Sequence, residues 1–201
     1  NETLSTKIGS LVNRQYIRFD NATKFWDLPL DRVVHLDING GEPSASKNYK
    51  KILANIPANV TSVRVNTNCS SVLEEVEPMI QKGIHVTITV SLDGIGQVHD
   101  YVRWPIKFAD LERNLKVYQS IGVDLNTWTT VSALNIGNLK NIFAYVNEHK
   151  LNHSWALLET PEVLSVKYKN KLTLLQDVPA ELQQIVASGK DNSQEIEEFI
   201  A

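Results

Sequence analysis

Short runs of β-branched residues alternate with helical patterns along this chain, and this alternation restricts the possible folds more than any other feature. Each run is bounded by turn residues, which is typical of strands. The five predicted strands are 33–39, 62–68, 85–93, 124–133 and 153–160. Strands separated by helices usually become parallel strands joined by right-handed crossovers. The sequence therefore predicts an α/β fold with a parallel sheet, either a barrel or a doubly wound sheet.

Apolar residues at helical spacing predict the helices between the strands. The clearest pattern runs from Phe108 to Tyr118, and Gly122 is well placed to end that helix in a left-handed conformation. Shorter apolar faces lie at 49–56 and 139–146. These patterns predict one helix before each of three strands.

One further helix is predicted by a start signal. Ser71 and Glu74 have the spacing of a capping box, in which two side chains bond each other's free backbone amides. The pattern predicts a helix that begins there and ends at Gly83, and Pro78 is expected to kink it.

The two faces of the predicted strands differ in polarity. In the first strand Val34, Leu36 and Ile38 alternate with polar residues, and the third strand does the same. If the apolar face packs on the helices, the polar face lines the lumen of a barrel, where it needs partners or a ligand. An antiparallel sheet with one solvated face is the weaker alternative, because helices separate the strands. The candidate substrate contacts on the polar face are His35, Asp37, Asn66, Thr89 and Trp128.

Charge and composition narrow the range of partners. The 201 residues include 20 basic and 23 acidic side chains, a net charge of −3, which leaves no positive surplus for nucleic acid or an anionic membrane. No apolar run approaches the ~20 residues of a membrane helix, and residues 1–10 lack the features of a signal peptide. We therefore expect a cytoplasmic protein with neither nucleic acid nor membrane as a partner.

The chain reads as a single domain, 1–201. Residues 1–30 are predicted as helix and loop, 31–170 as βα units, and 171–201 as a polar C-terminal tail. A natural chain begins with methionine, so Asn1 suggests a fragment or a processed product. We expect sequence upstream of it.

The first chemical motif follows the first strand. Gly40-Gly41-Glu42-Pro43 stands where ligands bind in parallel α/β folds, at the carboxyl end of a strand. The glycines allow close backbone approach, and the carboxylate of Glu42 suits an ammonium group. Taken alone, the motif could equally be a tight surface turn.

Further motifs occur in a fixed order along the chain. Ser91-Leu92-Asp93-Gly94 ends the third strand and leads to Tyr101-Val102-Arg103-Trp104-Pro105, while Thr67-Asn68 ends the second strand. Asn135 precedes a helix, and 159–165 follows the last strand. Together these motifs resemble the radical S-adenosylmethionine (SAM) superfamily, in particular its twitch-type branch, over roughly Trp26 to Lys171.

The resemblance implies a site for SAM. In it the Gly40–Glu42 turn binds the amino group, Ser91 and Asp93 lie near the ribose and carboxylate, Arg103 pairs with the carboxylate, and Asn135 lies near the ribose or base. Three of these residues have a purely structural alternative: Asp93 could form only a turn, Arg103 could be a solvated side chain, and Asn135 could cap the helix that begins at Leu139. The predicted cofactor-binding residues are Gly40, Gly41, Glu42, Pro43, Asn68, Ser91, Asp93, Arg103 and Asn135.

One departure from the family concerns the metal cluster. Radical SAM enzymes hold a [4Fe-4S] cluster with three cysteines, usually as CxxxCxxC, whereas this chain has one cysteine. Cys69 is expected to be a buried apolar filler. We therefore expect no metal ligands here, with the cluster loop and the first strand of a partial TIM-like barrel upstream of Asn1, and no cluster on this chain alone.

The implied activity is reductive cleavage of SAM to a 5′-deoxyadenosyl radical that abstracts hydrogen from a substrate, an oxidoreductase-type reaction. The implied partners are an unknown small-molecule or peptide substrate and an electron donor such as a ferredoxin or flavodoxin. No residue is assigned as catalytic. One alternative is a non-catalytic, cluster-less barrel that binds a nucleoside-like ligand or a protein partner. Another is a hydrolase or lyase that uses Asp37, Glu42 and Asp93 as acid and base.

Overall fold

The computed structural model describes residues 30–166, so the predictions for 1–29 and 167–201 lie outside the described residues. Its strands form one parallel sheet in the order β1-β2-β3-β4-β5. A doubly wound sheet reverses its strand order, whereas a barrel follows the chain. The sheet therefore has barrel order, and the predicted parallel α/β fold is confirmed. The strands are His35–Ile38 (β1), Ser62–Thr67 (β2), His85–Ser91 (β3), Asp124–Val131 (β4) and Asn152–Leu157 (β5).

Helices connect successive strands. They are Lys47–Ala54 (α1), Val76–Gln81 (α2), Gln97–Val102 (α3), Phe108–Ser120 (α4) and Leu139–Glu148 (α5), with short 3-10 turns at Leu30–Arg32, Pro43–Ala45, Ile136–Asn138 and Glu162–Leu164. Gly122 has φ 77° after α4, so the predicted left-handed helix end is confirmed. Within residues 30–166 no helix combines the length and the apolar character needed to cross a membrane.

The predicted capping box does not form. Helix α2 begins at Val76, its cap residue Glu75 makes no side-chain cap bond, and the Leu73 amide donates to the Tyr118 hydroxyl oxygen at 3.0 Å. A contact with α4 thus holds the backbone where the local signal predicts a helix start. Pro78 lies in the first turn, where a helix amide has no partner, so the expected kink has no cause.

The two faces of the sheet have the predicted roles. Val65, Ile88 and Val90 are fully buried and belong to one core that includes Leu111 and Tyr118 of α4. The opposite face carries the alternate residues, which are half-buried or exposed. The polar lumen face is therefore confirmed, and its members include His35, Asp37, Arg64, Asn66, Thr87, Thr89, Ser91 and Trp128.

All five strands end one to three residues before their predicted ends, at Ile38, Thr67, Ser91, Val131 and Leu157. The reason is visible after β1 and β2. Gly40 and Gly41 have φ of 89° and 64°, and Cys69 has φ 58°, values incompatible with an extended strand. The chain therefore turns just after β1 and β2, and these turns contribute residues to the site.

Candidate cofactor site

A cleft of about 400 Å³ opens where β1, β2 and β3 end. This is the edge at which ligands bind in parallel α/β folds. The lining residues come from the ends of β2 and β3, from the loops after β1 and β2, and from the residue that follows α3. They are Gly40, Gly41, Glu42, Asn66, Thr67, Asn68, Ser91 and Arg103. Six of the nine predicted cofactor-binding residues thus share one cleft, and Asn66, predicted as a substrate contact, joins them.

The turn after β1 explains the pair of glycines. Both adopt positive φ, and a Cβ on Gly40 would meet no atom within 4 Å. The requirement at Gly40 is therefore conformational rather than steric. Glu42 follows as the cap of the short turn that begins at Pro43, where its side chain accepts from the Ser44 amide.

The carboxylate of Glu42 is fixed by protein donors on both oxygens. Oε1 accepts from the amide of Ser44 at 3.0 Å, its hydroxyl at 2.6 Å and the hydroxyl of Thr67 at 2.7 Å. Oε2 accepts from the amide of Asn68 at 2.7 Å. A carboxylate offers about four acceptor positions over two oxygens. The more lightly used Oε2 is therefore the atom able to accept from an ammonium group in the cleft.

Asp93 and Arg103 form an ion pair beside the cleft. Asp93 Oδ2 accepts from Arg103 Nε at 2.6 Å and lies 2.5 Å from Nη2, while Oδ1 accepts from the Thr130 amide at 2.8 Å. The Asp93 side chain is 6% exposed and that of Arg103 is 30% exposed. The alternative of a fully solvated Arg103 side chain is therefore wrong.

Neighbouring bonds brace these loops. The Asn68 side chain accepts from the Ser70 amide at 2.9 Å, and Asn66 donates to the side chain of Asn39. Ser91 lies on the lumen face, in register with Trp128, which is half exposed. Sequence reasoning missed the part of Thr67 in holding Glu42, for which the only sequence signal is its place at a strand end.

Asn135 is held within its own loop. It is 1% exposed, its Oδ1 accepts from the Ser132 amide at 2.7 Å, and its Nδ2 donates to the Thr130 carbonyl at 3.0 Å. The cap residue of the helix that begins at Leu139 is Asn138, and the Asn135 side chain makes no cap bond to the 3-10 turn that it precedes, so the alternative role as a cap of that helix is wrong. It organises the turn after β4 and, like Pro43 and Asp93, is not among the described residues that line the cleft.

Cys69 lies in the core beside the cleft. It is 0% exposed, and burial together with the Glu42 charge raises the pKa of its thiol to about 12. A protonated, buried thiol is a poor metal ligand. The expected filler role agrees with this environment, and no group of metal-ligating side chains occurs among residues 30–166.

Helix α3 carries a buried histidine behind the Asp93 loop. His99 is 0% exposed, and within the described part of the chain neither of its ring nitrogens has a hydrogen-bond partner. Its ring packs edge-on against Phe108. Burial first, and then the Arg103 charge, lower the pKa of His99, with Asp93 and Asp100 opposing.

This environment predicts acid sensitivity. A histidine whose pKa is lowered on folding binds more protons unfolded, so stability falls as pH drops below about 6.5. Between about pH 7.5 and 5, the free energy of unfolding should therefore decrease less in His99→Leu than in the wild type. Urea denaturation at each pH measures this decrease. Burial also lowers the pKa of His153, so part of the slope remains. His85, which is 63% exposed, supplies the control His85→Leu. An unchanged slope in His99→Leu would contradict the prediction.

Comparison with known proteins places the fold. No protein-family model and no curated protein matches the chain. Among solved structures, SuiB of Streptococcus suis bound to S-adenosylmethionine aligns with TM-score 0.53 and 14% identity, covering 74% of this chain and 37% of SuiB. Native anSMEcpe with bound AdoMet and Kp18Cys peptide aligns with TM-score 0.57 and 14% identity, covering 91% of this chain and 51% of anSMEcpe.

Both structures are radical SAM enzymes. At 14% identity the likeness establishes the fold, which is the partial TIM-like (β/α) barrel of those enzymes. This chain spans only 37% and 51% of their lengths. The fold expected from the sequence motifs is therefore confirmed.

Proposed function

We propose that this chain forms the SAM-binding core of a radical SAM enzyme of the twitch-type branch. The observation that carries the proposal is the cleft at the carboxyl edge of the sheet, which has both Glu42 and Arg103 in its lining. One supplies a carboxylate and the other a guanidinium. That pair suits the ammonium and carboxylate of an amino acid group such as the one SAM carries. The same barrel in two enzymes solved with SAM supports this reading.

Each side chain has a distinct task in this proposal. Glu42 Oε2 accepts from the ammonium, the Arg103 guanidinium donates to the carboxylate, and Gly40 and Gly41 let the backbone approach. Ser91 and Asn68 complete the wall of the cleft. SAM, when bound and cleaved by one-electron reduction, supplies a 5′-deoxyadenosyl radical that takes a hydrogen atom from the substrate. The chain binds and orients the cofactor for that step.

The residues of this chain do not fit the [4Fe-4S] cluster that such chemistry uses. Three thiolates are needed, and the one cysteine is buried with a pKa of about 12. The proposal therefore assigns the cluster ligands to protein outside residues 1–201. It also includes a ferredoxin or flavodoxin as electron donor, a cytoplasmic location, and a small-molecule or peptide substrate. The peptide bound by anSMEcpe is consistent with that substrate class.

Because a single buried cysteine cannot hold a cluster, a second candidate function is a non-catalytic barrel that binds a nucleoside-like ligand or a protein partner. The two functions differ in what the cleft recognises. A nucleoside site needs no pairing of Glu42 and Arg103 with an amino acid group. The acid-base alternative has less support, because Asp93 is ion-paired and Glu42 accepts from four protein donors.

A ligand titration tests the proposal on this chain. SAM is added to the 15N-labelled protein, and amide shifts are followed by NMR, with 5′-methylthioadenosine as the ligand that lacks the amino acid group. Without a cluster to chelate SAM, we expect a Kd on the order of 1 mM, about 4 kcal/mol, with shifts at Gly40, Gly41 and Asn68. 5′-Methylthioadenosine should bind more weakly. Equal binding of both ligands would favour the nucleoside site, and absence of shifts with SAM would overturn the proposal.

A further inference from the structure

The carboxylate of Asp93 is held by protein donors on both oxygens, and Asp93 is not among the residues that line the cleft. Oδ2 contacts Nε and Nη2 of Arg103, and Oδ1 accepts a hydrogen bond from the backbone amide of Thr130. The residue is 4% exposed, and the cleft lining includes Arg103 but not Asp93. A ligand in the cleft therefore contacts the guanidinium rather than the aspartate.

Within residues 30–166, the contacts of Arg103 leave part of its guanidinium free. Arginine has five N–H groups in a planar fork, and Asp93 engages Nε and Nη2 from one side. The remaining N–H groups are available to a second anion. Because Asp93 is itself anchored to β4 through Thr130, the direction of the fork is fixed by the sheet rather than by the flexible arginine chain.

We propose that Asp93 is a positioning residue that acts through Arg103 and gives the cleft its selectivity for a ligand carboxylate. This inference rests on the proposed function, in which that carboxylate belongs to SAM. It differs from the sequence expectation that Asp93 itself lies at the ribose and carboxylate of the cofactor. Asp93 orients the guanidinium before the ligand arrives, so the ordering of a long side chain is not left to the binding step.

Asp93→Asn is the informative variant. Asparagine keeps the shape and the Oδ1 acceptor for Thr130, but it removes the charge that holds Arg103. Asp110→Asn is the matched control, because Asp110 pairs with Arg113 at 2.8 Å on α4 and its side chain is 42% exposed. Both variants lose one aspartate–arginine pair, and only one of those pairs borders the cleft.

The first measurement needs no ligand. In the free protein the Nε–H of Arg103 should give a sharp, slowly exchanging NMR signal that Asp93→Asn broadens or loses, while Asp110→Asn leaves it unchanged. An Arg103 signal equally protected in Asp93→Asn would overturn the positioning role. This result does not depend on whether SAM binds, so the proposed function can fail separately.

The second measurement asks whether the two residues act as one unit. Asp93→Asn should weaken SAM binding by about tenfold, leave 5′-methylthioadenosine binding unchanged, and have no further effect in an Arg103→Ala background. A purely structural role would weaken both ligands equally. Additive losses in the double variant, or equal losses for both ligands, would overturn the inference. Retained SAM affinity in both single variants would overturn the proposed function as well.

Discussion

Replacing Gly94 by alanine is expected to destabilise the protein by about 3 kcal/mol, the upper end for an overpacked site. An added Cβ would lie 2.7 Å from the amide nitrogen of His99 and 2.9 Å from Cγ1 of Val98. The first of these is backbone at the start of α3, which cannot rotate away. Relief therefore requires α3 to shift, and α3 leads directly into Arg103. We expect Gly94→Ala to weaken SAM binding as well, and thermal unfolding and the NMR titration measure the two effects.

Gly122→Ala separates crowding from conformational strain. Gly122 has φ 77°, and an added Cβ there would meet nothing within 4 Å. The expected cost is about 1 kcal/mol, from the left-handed conformation alone, with SAM binding unchanged. If Gly94→Ala is no worse than Gly122→Ala, the close approach of α3 to the Asp93 loop is not what requires glycine.

The fold was predictable because its signals are local. In β3 the alternation that places Val86, Ile88 and Val90 on one face shows, from the strand's own residues, which face packs on the helices. The helices between strands then give the parallel order. The capping box at Ser71 failed for the complementary reason, since the Leu73 amide bonds to a tyrosine in α4, 45 residues away. A local pattern carries no information about such a contact.

The site was predictable in its members but not in their pairing. Gly40, Glu42 and Arg103 meet at one cleft because each follows a strand or helix that ends at the same edge. Asp93 pairs with Arg103, and Asn135 bonds within its own loop. Both contacts depend on side-chain directions, which the spacing of residues in the sequence does not determine. Asp100 is a similar case. Its Oδ1 accepts from the Phe108 amide, which, followed by the Lys107 contact, holds the Asp100 pKa below its usual range.

Glu42→Gln should have the largest effect on ligand recognition. The amide oxygen can keep the bonds from Ser44 and Thr67, but the new NH2 group then faces the Asn68 amide, which leaves two donors opposed. We expect a stability loss of about 2 kcal/mol. Glu77, exposed on α2, provides the control Glu77→Gln, which should change neither stability nor binding.

The effect of Glu42→Gln on binding shows whether the Glu42 carboxylate binds the ligand or only shapes the turn. A charge-assisted contact with an ammonium contributes roughly 1.5–3 kcal/mol, so SAM affinity should fall by about tenfold or more. 5′-Methylthioadenosine, which has no ammonium, should bind the variant as it binds the wild type. Because the turn is weakened in either case, stability alone cannot discriminate. Equal affinity losses for both ligands would mean that Glu42 only shapes the Gly40–Pro43 turn, whereas a loss confined to SAM assigns its Oε2 to the amino group.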